Sequence, residues 1–300
     1  MRKLLSILVL LAGVLAAAGC FHTRKLRVMS MFVPSTDQSN QPLCWNDQKP
    51  QLVRLMSHAN PDIIGFQNAS KVQIYSLLIE MPEYGSVGEK GFTIDGKPVF
   101  NPVFYKKDQF ELIARSQFNI NDNASLTRGA LSPLWVTWLK LRYRHTGHIF
   151  YLFNASLGDE AEHDHPKDAL RFLSEIKMIA GNAPVVITGC LHQPGDRDDY
   201  NIITANYHDA FPFWDAATFH VKTTPALHDP LGNLIFVNGY YNVVKYELLT
   251  APRDGVQVYN HWAVMAQLEF ADHQRTKPGD ATRLNNDEGA VSVKARLLAP

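Results

Sequence analysis

The chain has 300 residues, of which 46% are hydrophobic and 19% charged; that is ordinary globular composition and enough chain for one large domain with its own core. Lys and Arg (29) balance Asp and Glu (29), so the formal net charge is zero. The balance excludes a chain-wide basic field of the kind that draws nucleic acid or an anionic membrane surface, and no strong nucleic-acid signal remains.

Residues 1–19 stand apart. Met1, Arg2 and Lys3 make a positive start, residues 4–18 an apolar run, and small residues precede Cys20. The run is short for a spanning helix and reads as a signal peptide. Ala17-Ala18-Gly19-Cys20 resembles a bacterial lipobox, in which the cysteine becomes the lipidated first residue; Ala stands where Leu is commoner. A plain secretory signal with Cys20 incidental is the alternative. Phe21 follows, so the Asp that marks inner-membrane retention is absent. The resemblance implies an exported, lipid-anchored protein of the bacterial cell envelope, at the outer membrane on its periplasmic or surface side. Residues 20–25 then form the lipidated cysteine and a short linker.

Residues 25–31 read as a short strand and 33–46 as a Pro/Ser/Asn/Gln-rich loop. Leu52, Leu55, Met56 and Ala59 fall at helical spacing, ending near Asn60-Pro61. Residues 62–67 (DIIGFQ) are a buried strand, and Ser70 is the N-cap of a helix through Leu77 and Ile79. Residues 98–110 read as a strand with a turn after it. Residues 135–143 and 149–157 are strands joined by a hairpin turn at Thr146-Gly147. Residues 167–180 are helical. Residues 184–188 form a strand of β-branched residues ending at Thr188-Gly189, with Cys190 and His192 just beyond. Further strands are expected at 233–237, 243–249 and 262–270. Residues 271–300 are polar and aperiodic and read as a flexible tail, leaving 26–270 as the domain.

Seven segments, in order, resemble the endonuclease/exonuclease/phosphatase family. They are LRVMSMF (26–32), PDIIGFQNAS (61–70), NPVFYKKDQFEL (101–112), FNASLGD (153–159), VVITGCLHQ (185–193), GNLIFVNG (232–239) and NHWAVMAQLEF (260–270). The resemblance implies a DNase I-like four-layer α/β sandwich, with two packed mixed β-sheets flanked by helices and a cleft at one end. It also implies phosphate-ester hydrolysis with Mg²⁺ or Mn²⁺ held by carboxylates and an Asn, an imidazole on the phosphate and an Asp orienting water.

This chain departs from that pattern at nearly every such position. Phe32 stands where the first strand ends in a metal-binding Asn, and Asn68 replaces the Glu of the "QE" motif. Ser156 and Gly158 replace the His and Asp of "THLD", and Cys190 and His192 the Asp and Asn of "GDFN". Asn233 replaces the Asp of "IDYIF", and Asn260 that of "SDH", where His261 alone is retained. Asn154, before the lost His, is read as structural. Without anionic oxygens, Mg²⁺ affinity largely vanishes, and Asn260 cannot support an imidazolium at His261 as Asp would. The expectation is a pseudoenzyme with no cofactor, acting by binding an envelope protein or ligand.

Two alternatives stay open. One is a divergent hydrolase of phosphate esters using Mg²⁺ or Mn²⁺. The other is a transition-metal lipoprotein in which Cys190, His192 and His261 hold Zn²⁺ or copper. Cys190 is also a candidate nucleophile with His261 as base, a partner for Cys44 in a disulfide, or an inert thiol. Glu160, Glu162, His163, Asp164 and His165 form a polar run, read as solvated rather than metal-binding. Trp135, Trp138, Tyr143 and Tyr151 are read as strand packing, and Trp45 and Trp214 as bordering the cleft.

Overall fold

The computed structural model describes residues 25–33, 45–94, 97–120, 134–157, 165–190, 198–211, 232–250, 252–253, 256–257, 263–271 and 292–297. In chain order the elements are β1 (Leu26–Phe32), α1 (Trp45–Ala59), β2 (Ile63–Gln67), α2 (Lys71–Glu80), β3 (Tyr84–Val87), β4 (Gly91–Ile94), β5 (Lys97–Phe100), β6 (Val103–Lys106) and β7 (Phe110–Asn119). There follow β8 (Trp135–Tyr143), β9 (Ile149–Ser156), α3 (His165–Ala180), β10 (Val185–Cys190), α4 (Asp198–Thr204), β11 (His208–Asp209) and β12 (Asn233–Val237). The last are β13 (Tyr241–Thr250), β14 (Pro252–Arg253), β15 (Val256–Gln257), β16 (Ala263–Phe270) and β17 (Ser292–Leu297).

Two mixed sheets carry the fold. One has the order β17-β13-β16-β1-β2-β6-β3, the other β11-β12-β10-β9-β8-β7. Strand alternation sorts the apolar residues into three layers. Leu26, Val28, Ile63, Phe150, Leu152, Val186 and Ile235 fill the space between the sheets. Met29, Met31, Ile64 and Phe66, on the opposite parity, pack under α1 and α2. Phe153, Ala155, Val185 and Ile187 pack with Phe172 and Ile176 of α3 and Ile203 of α4. Helices, sheet, sheet, helices: the four-layer sandwich is the arrangement expected, and one apolar face per sheet would not have required it.

Ser70 caps α2 as expected. Its hydroxyl accepts the Gln73 N–H, and the Gln73 side chain accepts the Ser70 N–H in return, a complete capping box. Other expectations are corrected. The 33–46 loop ends early, because α1 begins at Trp45. Trp45 does not border the cleft; it is buried, and its indole N–H donates to Ser76 Oγ at 3.0 Å, tying α1 to α2. The single strand of 98–110 is two strands, β5 and β6, followed by a turn into β7. The 271–300 tail contains β17, paired in parallel with β13 from Lys245↔Ser292 to Thr250↔Leu297. Tyr143 is buried, and Trp138 lies 6.1 Å from the Tyr151 ring, so those aromatics are strand packing. Among the described residues no helix is long and apolar enough to cross a membrane.

β7 is an edge strand with a bulge between Leu112 and Ala114. Near its far end the Gln117 carboxamide accepts the Lys90 N–H at 2.6 Å and donates to the Lys90 carbonyl at 3.0 Å. Opposite the carboxyl ends of β1 and β10, the His148 ring stacks on Phe270 with centroids 4.1 Å apart. That contact joins the β8–β9 turn to the last residue of β16.

Candidate functional site

The carboxyl ends of β1, β2, β9 and β10 coincide. β1 and β2 are parallel, with Phe32 opposite Gln67. β9 and β10 are parallel, with Ser156 opposite Cys190, and Cys190 also pairs with Asn233 at the start of β12. The two sheets meet there through side chains. Asn233 Oδ1 accepts the Phe32 N–H at 2.8 Å, and the Ser30 hydroxyl donates to the Gly189 carbonyl at 3.2 Å.

Along each strand the inward-facing residues change character toward this end. β1 runs Leu26, Val28, then Ser30; β2 runs Ile63, Gly65, then Gln67; β9 runs Phe150, Leu152, then Asn154; β10 runs Val186, then Thr188. The four polar side chains are fully buried, and they satisfy one another. Gln67 Nε2 donates to Asn154 Oδ1 at 2.7 Å and reaches Ser30 Oγ and the Gly65 carbonyl. Thr188 Oγ1 donates to the same Asn154 oxygen at 3.0 Å. Asn154 Nδ2 donates to the carbonyls of Phe66 and Pro102, at 2.7 and 3.0 Å. The structural role expected for Asn154 is thus that of a clamp from β9 onto the opposite sheet. Gly65 makes room for it, since a Cβ there would lie 2.1 Å from Thr188 Oγ1 and 2.7 Å from Asn154 Oδ1.

On this polar floor stand Phe32, Ser156, Cys190 and Asn233. Phe32 and Ser156 are partly exposed, whereas Cys190 and Asn233 are buried. Asn68 follows β2 in the left-handed region, φ 61°, a conformation few side chains other than Asn tolerate. Its N–H donates to Asn101 Oδ1 at 3.1 Å, and Asn101 in turn donates to the Trp135 carbonyl. Asn68 Oδ1 and Gln67 Oε1 are buried and accept no hydrogen bond from the described residues.

Gly189 does not make the tight turn that the family resemblance implies. β10 continues through Cys190, and Gly189 lies in the strand, where a Cβ would sit 2.8 Å from the Ala155 carbonyl. Cys190 is therefore a ladder residue with its side chain enclosed, not a loop residue at the rim. Its carbonyl accepts the Leu157 N–H at 3.0 Å.

The structure thus brings together Phe32, Asn68, Ser156, Cys190 and Asn233. Cys20, Cys44, Gly158, His192, Trp214, Asn260, His261 and residues 160–164 lie outside the described residues, as does the side chain of His165. The residues that sequence reasoning did not single out are Ser30, Gln67, Asn101 and Thr188. Their signal was a polar residue closing each buried run, visible once the inward parity of the strands is known.

A hard divalent cation does not fit this donor set. Mg²⁺ needs anionic oxygens, and the five assembled positions supply an aromatic ring, two carboxamides, a hydroxyl and a thiol. Among the described residues no three His, Cys, Asp or Glu side chains converge. The neutral network can position backbone groups and accept hydrogen bonds; it offers no charge to a phosphate.

No protein-family profile matches the chain, and no curated protein matches it by sequence. Solved structures do. An endonuclease/exonuclease/phosphatase protein from Bacteroides vulgatus superimposes with a TM-score of 0.69 at 24% identity, over 82% of this chain and 99% of that one. A mannosyl-6-phosphatase of Bacteroides thetaiotaomicron gives 0.68 at 18% identity, over 82% and 100%. The catalytic domain of human Nocturnin, solved with a bound sulfate anion, gives 0.66 at 13% identity, over 83% and 95%. At these identities the likeness is one of fold: the chain has the DNase I-like, phosphoesterase-type sandwich.

Proposed function

We propose that this chain is a binding protein on a phosphoesterase-type scaffold, without metal-dependent hydrolysis, held at the cell envelope by a lipid on Cys20. One observation carries the first part. At the strand ends the Asn233 carboxamide, at a position the family resemblance assigns to an acid, is engaged with the backbone of Phe32. The neighbouring Phe32, Asn68, Ser156 and Cys190 add no carboxylate. The phosphatase named among the similar folds hydrolyses a phosphate ester; the donor set here supports recognition of a ligand or envelope protein instead. The anchor rests on the apolar run before Cys20.

The test is a phosphodiesterase and phosphatase screen of the purified chain with Mg²⁺ or Mn²⁺. The expected result is no turnover above buffer. Turnover that disappears in His261→Ala overturns the proposal in favour of a divergent hydrolase. A pull-down from envelope extracts, compared with Phe32→Asp, then reads the binding role: a partner retained equally by both proteins does not use this cleft.

A further inference from the structure

The start of β1 lies at the end of the sandwich opposite the Phe32–Asn233 site. β1 spans seven residues, so the two ends are separated by about 20 Å. Leu26 pairs with Leu268, and Lys25 Nζ reaches Glu269 at 3.5 Å, beside Phe270. Phe270 stacks on His148. The chain therefore enters the fold next to the β8–β9 turn, whose Arg144, His145, Thr146, Gly147 and His148 are all exposed, followed by Ile149 at 36% exposure. From Arg144 to Ile149 the sequence contains no acidic residue, while Arg142 just before is ion-paired to Glu111 at 2.7 Å. The adjoining turn contributes Lys107 beside Asp108 and Glu83, and it is held to this one by the Arg144 N–H donating to the Gln109 carbonyl at 2.8 Å.

Lys25 is five positions after Cys20, and five residues reach at most about 17 Å. Resting on the anchor reading above, we infer that this end of the sandwich lies against the bilayer. The Arg144–His148 turn then faces anionic headgroups, and the Phe32–Asn233 site opens away from the membrane toward the aqueous phase. A lipidated Cys20 on so short a tether holds Lys25 within about 17 Å of the headgroups, so the opposite end, about 20 Å farther along β1, reaches them only with the tether fully extended. Cationic side chains at that surface add to the hold of one lipid anchor, which is the two-signal arrangement of stable peripheral proteins.

The experiment uses the full lipidated chain on vesicles of phosphatidylethanolamine and phosphatidylglycerol, in a Cys44→Ser background. A fluorescent label is placed on Thr146→Cys at the turn or on Val72→Cys at the site end, and quenched with aqueous iodide. The label on Thr146→Cys is expected to be quenched severalfold less on vesicles than in the Cys20→Ser chain, whereas the label on Val72→Cys is unchanged. Adding Arg144→Glu and His145→Glu is expected to restore quenching at position 146. Equal protection at the two positions, or greater protection at position 72, overturns the orientation while leaving the anchor standing. A chain that carries no lipid and stays off the vesicles overturns both.

Discussion

Asn233 Oδ1 accepts the backbone N–H of Phe32 at 2.8 Å, one residue reaching from the second sheet to close the end of the first. Both residues stand at positions that the family resemblance assigns to the site. The bond gives this position a structural task, and its removal is measurable. Asn233→Ala removes this acceptor from the Phe32 N–H and is expected to cost about 1–3 kcal/mol in urea unfolding. Asn233→Asp keeps an acceptor and should cost less. Equal losses in the two variants would show that the bond contributes nothing.

Asn154 makes four hydrogen bonds, two as donor and two as acceptor; three of them cross to the opposite sheet, and the fourth comes from Thr188 on the neighbouring strand β10. Asn154→Ala is expected to destabilise by about 3 kcal/mol or more, because several buried groups lose their partner together. Asn154→Asp should be worse, since it turns a carboxylate toward the Phe66 and Pro102 carbonyls. Chemical denaturation ranks the two; an aspartate variant as stable as the parent excludes the clamp.

Gly65→Ala places a methyl where Thr188 Oγ1 and Asn154 Oδ1 already are. A loss of about 3 kcal/mol or a failure to fold is expected, beyond the ordinary cost of overpacking. Adding Thr188→Ala opens the nearer contact and should recover part of the loss. Thermal melts of the single and double variants check this, and additive losses would sink it.

A ligand that binds only the folded state raises the melting temperature. With no anionic oxygen at Phe32, Asn68, Ser156 or Asn233, millimolar Mg²⁺ or Mn²⁺ is expected to leave the melting temperature unchanged, as is a chelator. A rise with Mg²⁺ that the chelator reverses would restore the hydrolase reading.

Burial pushes the phenols of Tyr84, Tyr200, Tyr241 and Tyr246 above the ordinary tyrosine range, and Asp209 adds to the effect at Tyr200 and Tyr246. Because their folded-state values are raised, the unfolded chain gives up these protons first. Their contribution is complete below about pH 10 and is lost as pH climbs from there toward the folded values. Melting temperature should be flat through neutral pH and fall above about pH 10, with late tyrosinate absorbance rising in step with loss of circular dichroism. Full ionisation in an intact fold would refute the burial of these four.

Much of the fold was legible because parity and spacing are local. Trp135–Tyr143 alternates over nine residues and is bounded as expected, and Ser70 with Gln73 announces its helix. β7 was not legible: Glu111, Arg115, Ser116 and Gln117 are polar on an edge strand that buries one face only in part. β17 gains its strand state from β13, a partner some forty residues away, which no local pattern records. At the site, the substituted positions were legible through family resemblance. The floor beneath them was not. Ser30, Gln67, Asn154 and Thr188 become one network only when two sheets face each other, and that pairing is tertiary.

Gln117 has a consequence for how the molecule behaves in a crowd. A side-chain amide is chemically a peptide unit, and here it offers Lys90 the same pair of bonds that a neighbouring strand would. The Lys90 backbone is thus closed to an outside strand from within the chain. At β7 a stray extended polypeptide meets an edge kinked at the Leu112–Ala114 bulge, which makes that border a poorer template for fibrous growth.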